Sequence, residues 1–586
     1  MVGRAVLIAL TPAARALAER LGGPLEADVA PASGTVRDQV VEAFTSGRPV
    51  VGICAAGILI RILAPFLADK QDEPPVIAVA EDGSAAVPLL GGHHGANDLA
   101  RSIAALTGGI AAVTTASDLA FGTAFDAPPE GYVLANAADM KAFAMALLQG
   151  DGVEVEDDVE WLKTLPRGGK LRISVTPYAR QGGPRHLVYH AKTLALGVGC
   201  ERGAPAPELI ALADASLAAN KLAPRAVAGV FSLDLKADEP AVHALAAHLG
   251  VPARFFSADT LNAEEARLAN PSEAVRREVG VAGVCEGSAL AAAGPDGALL
   301  VAKVKTGRAT LAIAVTPHPL ITLPGRPRGR LAVVGIGPGS DEWMTPAAVT
   351  ALRHAGDWVG YGLYLDLVAA YRSGQAEHRF ALGEEEKRVL HAIDLAAEGR
   401  TVALVCSGDA GIYAMASLVY EALAAPAIPP RAARIAVEVI PGISAFQAAA
   451  ARTGALIGHD FCAISLSDLL TPWAVIETRL KAAAEGDFVV AFYNPRSRRR
   501  SDHLARAMAI LAPHRRPGTP VVIAANLGRP AERLEIVDLA TFVPDSVDMA
   551  TIVLVGSSQS RRFSRGDGKT HAFTPRGYAA KPGSRL

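Results

Sequence analysis

The sequence predicts a multidomain α/β protein, with parallel or mixed sheets covered by helices. Three observations carry this. Half of the 586 residues are apolar and only 5% are aromatic, with Gly and Ala abundant, which suits close helix–sheet layers. Short buried-strand runs alternate with helix-like segments along most of the chain. At roughly 100–200 residues per domain, the length allows three or four domains.

The net charge of -2 gives no global signal for nucleic acid or an anionic membrane. Cys54, Cys200, Cys285, Cys406 and Cys462 are far apart and form no C-x-x-C pair. Neither a disulfide framework nor a metal site is expected, and a reduced, cytoplasmic compartment fits. Arg4 before the apolar run Ala5 to Leu10 imitates a signal peptide. The run is short, however, and Pro12, Arg15, Glu19 and Arg20 follow, so a strand and then a helix are expected. No stretch reaches the ~18 uninterrupted apolar residues of a membrane span.

Residues 1–118 read as a first α/β domain. Val6 to Leu10 is a strand and Pro12 to Leu21 a helix. Thr35 caps a helix to Phe44. Pro49 to Ile53 is a buried strand, Ile58 to Leu67 a helix, and Val76 to Ala80 and Ala86 to Leu90 are strands. His93-His-Gly-Ala-Asn97 opens another helix. Residues 119–190 are expected to form a small linking domain, with a solvated acidic stretch at 151–160 and a turn at 182–185. Residues 191–317 restart the rhythm: strands at 194–200, 227–233, 254–256 and 310–315, helices at 207–219 and 240–249. The linker 318–329, rich in Pro and Arg, is the clearest domain boundary. Residues 558–586 read as a basic flexible tail.

After the linker, Leu331-Ala-Val-Val runs into Gly335-Ile-Gly-Pro-Gly339. Thr345 then caps a helix with Pro346 at its first position. This is neither the dinucleotide fingerprint nor a phosphate loop. Further strands end in loops: Asp357 to Gly362, then Val402 to Cys406 into Ser407-Gly-Asp-Ala-Gly411, and Val437 to Ile440 into Pro441-Gly-Ile-Ser-Ala445. Phe488 to Tyr493, Pro520 to Ala525 and Ala550 to Val555 follow. Such strand-end loops are where α/β proteins bind ligands. Residue type leaves alternatives open. Asp409 is a ligand contact or a turn residue. The Arg496–Arg500 cluster is a carboxylate contact or a solvated loop. His459 is a proton carrier or a structural histidine.

Over about 330–557 this order of motifs resembles the tetrapyrrole methyltransferases that use S-adenosylmethionine. The strings are G-I-G-P-G, S-G-D-A-G-I-Y, I-P-G-I-S-A, G-H-D-F-C-A-I-S-L-S-D-L-L-T-P-W, F-Y-N-P-R-S-R-R-R and A-N-L-G-R-P. The G-H-D-F…L-T-P-W and Y-N-P-R-S strings point to the precorrin-3B C(17)-methyltransferase branch. The resemblance implies a two-lobed class III (tetrapyrrole) methyltransferase, with lobes 330–440 and 441–557 around a cleft for cofactor and macrocycle. It implies S-adenosylmethionine contacts at Gly408, Asp409, Ala410, Ile412, Ser444, Ala445, Asn526, Leu527, Thr551 and Ile552. It implies macrocycle contacts at Gly337, Pro338, Gly339, Arg496, Arg498 and Arg499, the arginines facing the ring's carboxylates. Ring contraction needs proton movement, for which His459, Asp460, Tyr361, Tyr364 and Tyr493 are candidates by type, His459 first.

Residues 1–118 and 191–317 resemble the CbiG/CobE family of cobalamin biosynthesis. The strings are G-I-C-A-A-G-I-L-I-R-I-L-A-P, L-L-G-G-H-H-G-A-N, L-G-V-G-C-E-R-G-A and V-C-E-G-S-A-L. The family string G-H-x-G-G-A-N is one residue longer than His93 to Asn97. Full-length members open the lactone of a ring-contracted cobalt-precorrin and release acetaldehyde. That implies His94 and Glu286 as catalytic candidates, beside His93, Glu201, Cys285 and Ser288, the last four groups placed near a helix start or strand ends. Adjacent histidines do not point the same way, so His93 and His94 are not read as a metal site. Together the resemblances imply a cobalamin-biosynthesis enzyme acting on a tetrapyrrole, with no nucleic-acid or membrane partner and a homodimer through the methyltransferase half. The first half is then a cobalt-precorrin-5A hydrolase or a carrier of intermediates. The alternative is a methyltransferase of another tetrapyrrole branch with a non-catalytic binding module.

Overall fold

The computed structural model describes residues 4–31, 34–68, 73–114, 121, 124–157, 159–497, 501–582 and 584–585. The chain forms two compact units, 1–328 and 329–586. Among the described residues no helix is long and apolar enough to cross a membrane.

Among the described residues the first unit holds three sheets. In the first, six strands run in the order Asp28–Val29, Val6–Ala9, Val50–Ile53, Val76–Val79, Ala85–Leu90, Ile110–Ala111. The first four are parallel, and Ala85–Leu90 turns back antiparallel on Val76–Val79. The mixed sheet follows from the short loop between those two strands, which leaves no room for a crossover helix.

The second sheet is Tyr132–Leu134, His186–Ala191, Leu171–Val175, Val153–Val155. The acidic stretch 151–160, expected in solvent, supplies its edge strand. Val153 is wholly buried, while Glu154 points out, a period-two pattern hidden among carboxylates. Two of those carboxylates are anchors: Glu156 accepts from Ser174 Oγ at 2.8 Å, and Asp157 accepts from the Val175 N–H at 2.9 Å.

The third sheet is Ala253–Phe256, Val227–Leu233, Leu194–Cys200, Ala309–Val315, Ala298–Lys305. Helices Ala206–Ala219 and Pro240–Leu249 cover one face. The other face carries a correction. The segment V-C-E-G-S-A-L, read as a strand end, is the start of the helix Val284–Ala293. Its small residues let it lie almost on the sheet: a Cβ on Gly197 would come within 1.9 Å of Cys285 O. An Ala-rich run of this length favours helix once such a flat surface is available.

The second unit has two lobes. The first is a parallel sheet ordered Ala376–Phe380, Asp357–Tyr361, Thr401–Cys406, Arg330–Gly335, Ala436–Ile440. Thr345 caps the helix Pro346–His354 as its sequence predicts, accepting from the Ala348 N–H at 3.1 Å. The second lobe is ordered Phe461–Ser465, Val489–Tyr493, Thr551–Val555, Pro520–Ala525, Arg533–Asp538. Only its first pair is parallel. Helices Trp473–Glu485 and His503–Leu511 pack on one face, and Ala445–Thr453 on the other.

The segment 558–586, expected as a flexible tail, instead begins as a hairpin. Arg561–Ser564 pairs with Thr570–Phe573, which in turn pairs with Gly454–Ala455. Ala572 is wholly buried, and Thr574 Oγ1 donates to Leu456 O at 2.5 Å. Its basic residues sit on the exposed strand and mask the apolar alternation of the inner one.

Candidate active site at the strand ends of residues 329–586

The five parallel strands of the first lobe send the loops after Gly335, Cys406 and Ile440 to one edge. Three turns touch there. Gly337 and Gly408 exchange two backbone hydrogen bonds, at 3.1 and 2.8 Å. A Cβ on Gly335 would lie 2.7 Å from Gly408 O, 2.8 Å from Gly442 N and 2.9 Å from Ala410 N. No side chain fits at that meeting point. Asp409 closes it: Oδ1 accepts from the Gly411 N–H at 2.8 Å and Oδ2 from the Gly442 N–H at 3.0 Å. Its carboxylate therefore serves the turn reading left open above.

Beyond the junction there is space. Gly408 has φ +70°, and a Cβ there would meet nothing nearer than Ser444 Cα and Ala445 N, both at 3.9 Å. The gap faces the start of the helix Ala445–Thr453, which Ser444 caps in a capping box with Gln447. The first N–H groups of a helix have no partner within it and favour negative charge.

The second lobe brings its own strand ends to this place. Ala525 pairs with Thr551, and Phe492 with Val553. Tyr493, Asn526, Leu527, Thr551 and Ile552 thus share one end of the sheet. The loop after Ala525 reaches the Gly-rich turn of the first lobe. A Cβ on Gly339 would lie 2.7 Å from Leu527 O, and one on Gly528 2.5 Å from Ser340 N. Arg452 adds a second tie, 3.0 Å from Glu342, 3.6 Å from Glu532 and stacked on Trp343 at 4.6 Å. Ile412, Ala445, Leu527 and Ile552 join Trp343, Phe446 and Tyr493 in one apolar cluster across both lobes.

Two polar atoms at this end are buried without a hydrogen-bond partner among the described residues, Tyr493 Oη and Arg529 Nε. Such atoms are costly unless something completes them. Burial pushes the Tyr493 phenol above its ordinary range. Ser444 and the Phe446 amide lie near enough to temper the rise. Ser444 Oγ nonetheless donates to Gln447 Oε1, at 2.9 Å, and not to the phenol. A separate groove of about 350 Å³, lined by Val389, Leu390, Leu418 and Ile428, lies between two helices away from the strand ends.

Residues 330–543 match the model of the tetrapyrrole (corrin/porphyrin) methylases. Residues 194–314 match that of the cobalamin synthesis G C-terminus, and 38–118 that of its N-terminal part. The chain is 45% identical over 248 residues to the probable cobalt-factor III C(17)-methyltransferase of Salmonella typhimurium, covering 42% of this chain and 99% of that one. The chain belongs to the tetrapyrrole methylases. It is 41% identical over 251 residues to the precorrin-3B C(17)-methyltransferase of a Sinorhizobium species, covering 43% of this chain and 98% of that one. It is 44% identical over 268 residues to the cobalamin biosynthesis protein CobIJ of Mycobacterium tuberculosis, covering 44% of this chain and only 51% of that one. The chain thus spans about half the length of the CobIJ relatives it matches.

Not every residue implied by sequence reaches the methylase site. His459 does not. Phe461 pairs with Val489 and Ser465 with Tyr493, so His459 precedes the far end of its strand. The four residue steps from Phe461 to Ser465 span about 13 Å. His459 is exposed there, its Nδ1 accepting from the Asp460 N–H at 2.8 Å. Asp460 shares that position. Gly337 and Pro338 are buried and Gly339 packs on the second lobe, so this turn joins the lobes and offers the macrocycle little surface. Arg496 is paired at 2.5 Å with Asp545. Arg498, Arg499 and Arg500 lie outside the described residues. Tyr361 does end its strand at the ligand edge, edge-on to Tyr364 at 5.2 Å, and burial raises the Tyr364 pKa.

In the first unit the candidates lie on elements of different sheets. His94 is exposed in a turn before the helix Ala96–Thr107 on the first sheet; the side chain of His93 lies outside the described residues. Glu286 lies on the helix Val284–Ala293 that covers the third sheet, and it is buried. Its Oε2 accepts from the Asn270 N–H, and its Oε1 from Asn270 Nδ2 and the Lys303 N–H, each at 2.8 Å. Burial alone would raise its pKa, but these hydrogen bonds win and hold it below the ordinary carboxylate range. A carboxylate so satisfied is a weak base and a good brace. Burial pushes the Cys285 thiol up to about 11, which removes it as a nucleophile near neutral pH. Ser288 Oγ donates to Phe231 O at 3.1 Å, and Glu201 pairs with Arg308 at 3.0 Å.

Sequence reasoning missed Tyr413, Phe446 and Arg529. Tyr413 closes the S-G-D-A-G-I-Y string, and its φ of +51° is uncommon for a tyrosine. Arg529 follows A-N-L-G directly. Both lay inside quoted motifs, but only the pairing of the lobes gives their side chains a place.

Proposed function

We propose that residues 329–586 methylate ring carbon 17 of precorrin-3B or cobalt-factor III, with ring contraction, using S-adenosylmethionine. The observation that carries this is the joining of the Gly408 turn, the Ser444 helix start and the 526–529 loop around buried, incomplete polar atoms. The residues present fit the cofactor. Gly408 and Ala445 leave room, Ile412, Leu527 and Ile552 offer an apolar wall for a flat base, and the helix start suits a carboxylate. When bound, S-adenosylmethionine supplies an activated methyl group, so the chain's task is alignment. A phenol holds its proton at neutral pH and burial raises the Tyr493 pKa further, so Tyr493 serves as a hydrogen-bond donor toward the ring. Arg529 offers a guanidinium to an acid-rimmed ligand. Tyr361 and Tyr364 line the same edge. The account of the sulfonium donor is tested by incubating the full chain with methyl-labelled S-adenosylmethionine and either tetrapyrrole. One label per ring, at carbon 17, is expected; an unlabelled ring refutes the proposal.

For the first unit, resemblance supports a lactone hydrolase acting on cobalt-precorrin-5A. The saturated Glu286 favours the second reading, a non-catalytic module that binds intermediates. Acetaldehyde release from the lactone substrate separates the two. Fusion would raise the effective concentration of an intermediate between the units. A homodimer through residues 329–586 is the expected assembly, and light scattering of the full chain checks it.

A further inference from the structure

We infer that Tyr413 is a positioning residue, a latch that ties the cofactor-side turn of the first lobe to the edge strand of the second and sets the orientation of Tyr493. The inference rests on the proposed methyl transfer. Tyr413 ends the turn that begins at Gly408, a turn already held by its bridge to Gly337 and by Asp409. Its hydroxyl crosses to the other lobe, donating to Ala463 O at 2.9 Å and accepting from the Ser465 N–H at 3.2 Å. Both groups belong to the strand Phe461–Ser465, the edge strand of its sheet among the described residues. The Tyr413 hydroxyl therefore fills hydrogen-bonding positions on a sheet edge, where unpaired backbone groups are otherwise a liability.

The backbone is bent to allow this. Tyr413 has φ +51°, in the left-handed region that side chains adopt rarely. Tyr413 is half exposed, so burial of its ring does not by itself explain that conformation. The latch supplies a reason. Its ring lies 5.1 Å from the Tyr493 ring at 49°, and Phe446 holds the other side of Tyr493 at 6.5 Å, edge-on. Tyr493 is thus clamped between residues of the turn and of the helix start, its hydroxyl without a hydrogen-bond partner among the described residues. Ser465 pairs with Tyr493 across the sheet, so the strand that Tyr413 grips is the one that sets the level of the phenol.

The test uses the full chain with methyl-labelled S-adenosylmethionine and precorrin-3B. It compares wild type, Tyr413→Phe, Tyr493→Phe and the double variant. Tyr413→Phe keeps the ring and removes the latch. About a tenfold fall in kcat is expected, with affinity for S-adenosylhomocysteine within about twofold, and the double variant should be no slower than Tyr493→Phe alone. Tyr413→Gly, which adopts φ +51° without strain, should lose the same rate while keeping the melting temperature within a few degrees. Wild-type kcat in Tyr413→Phe, or losses that multiply in the double variant, would overturn the inference. An inactive wild-type protein would count against the methyltransferase reading itself and leaves a different signature: no rate in any variant.

Discussion

The two units answer the same question in opposite ways. In residues 329–586, turns that lie far apart in sequence meet at one place, and their polar atoms are left incomplete. In residues 1–328, His94 and Glu286 precede or lie on helices of different sheets, and the buried candidates Glu286 and Ser288 are hydrogen-bonded. The incomplete buried atoms of that unit, Glu239 Oε2 among them, belong to none of the candidates. Tyr493 Oη has no partner among the described residues. Glu286 has three donors. A site built for a ligand leaves room and unfinished hydrogen bonds, whereas a brace finishes its own. The difference teaches that residue type and burial do not mark function; what matters is what the group still needs.

This contrast can be broken or sharpened by substitution. The largest effect is expected from Gly335→Ala, because its Cβ would enter a space bounded by three backbone atoms at 2.7 to 2.9 Å. Overpacking of this kind costs about 1–3 kcal/mol, and methyl transfer should fall by a hundredfold or more as the turns part. Tyr493→Phe comes next: the fold keeps its aromatic cluster, and kcat should fall by about ten- to a hundredfold, the usual scale for a lost proton-handling group. Normal turnover would remove Tyr493 from the chemistry.

Glu286→Gln should act on the first unit alone. Removing a charged acceptor from buried donors costs about 1–3 kcal/mol, seen as a lower melting transition with unchanged methyl transfer. Its pH dependence has a definite sign. The folded pKa lies below the unfolded value, so this stabilisation is complete above the unfolded carboxylate pKa. It is lost as pH falls through the folded value. The wild-type first unit should therefore lose stability in acid more steeply than the Gln variant. An acetaldehyde-releasing activity that vanishes in Glu286→Gln with stability intact would restore the catalytic reading. The smallest effect is expected from His459→Ala, within about twofold of wild type, because the side chain is exposed at the other end of its strand.

Much of this was legible along the chain, and the failures share a cause. Thr345 and Pro346 announce their helix by local chemistry, and the strand-end loops announce themselves by abrupt changes from Val and Ile to Gly, Ser and Asp. The convergence of Gly335, Gly408 and Gly442 is not local, and nothing near any one of them states it. The strand Ala376–Phe380 reads A-E-H-R-F and gives no apolar signal. It is held from a distance, with His378 Nε2 3.0 Å from Asp357 Oδ1. The hairpin at 561–573 was hidden by Arg561, Arg562 and Lys569, all of them exposed. His459 was chosen for its residue type, and the register of one strand pair moved it away. The segment from Val284 shows the reverse error: small residues beside Glu286 look like a strand-end loop until a flat sheet lies beneath them.

The most direct measurement is a calorimetric titration of the full chain with S-adenosylhomocysteine, comparing wild type, Gly442→Ala and His459→Ala. A Cβ at Gly442 would lie 2.2 Å from Gly408 O, so it pries apart the turns that should hold the cofactor. Wild type and His459→Ala are predicted to bind one equivalent with equal affinity, and Gly442→Ala at least tenfold more weakly. Equal binding by all three, or loss of binding only in His459→Ala, would contradict the account.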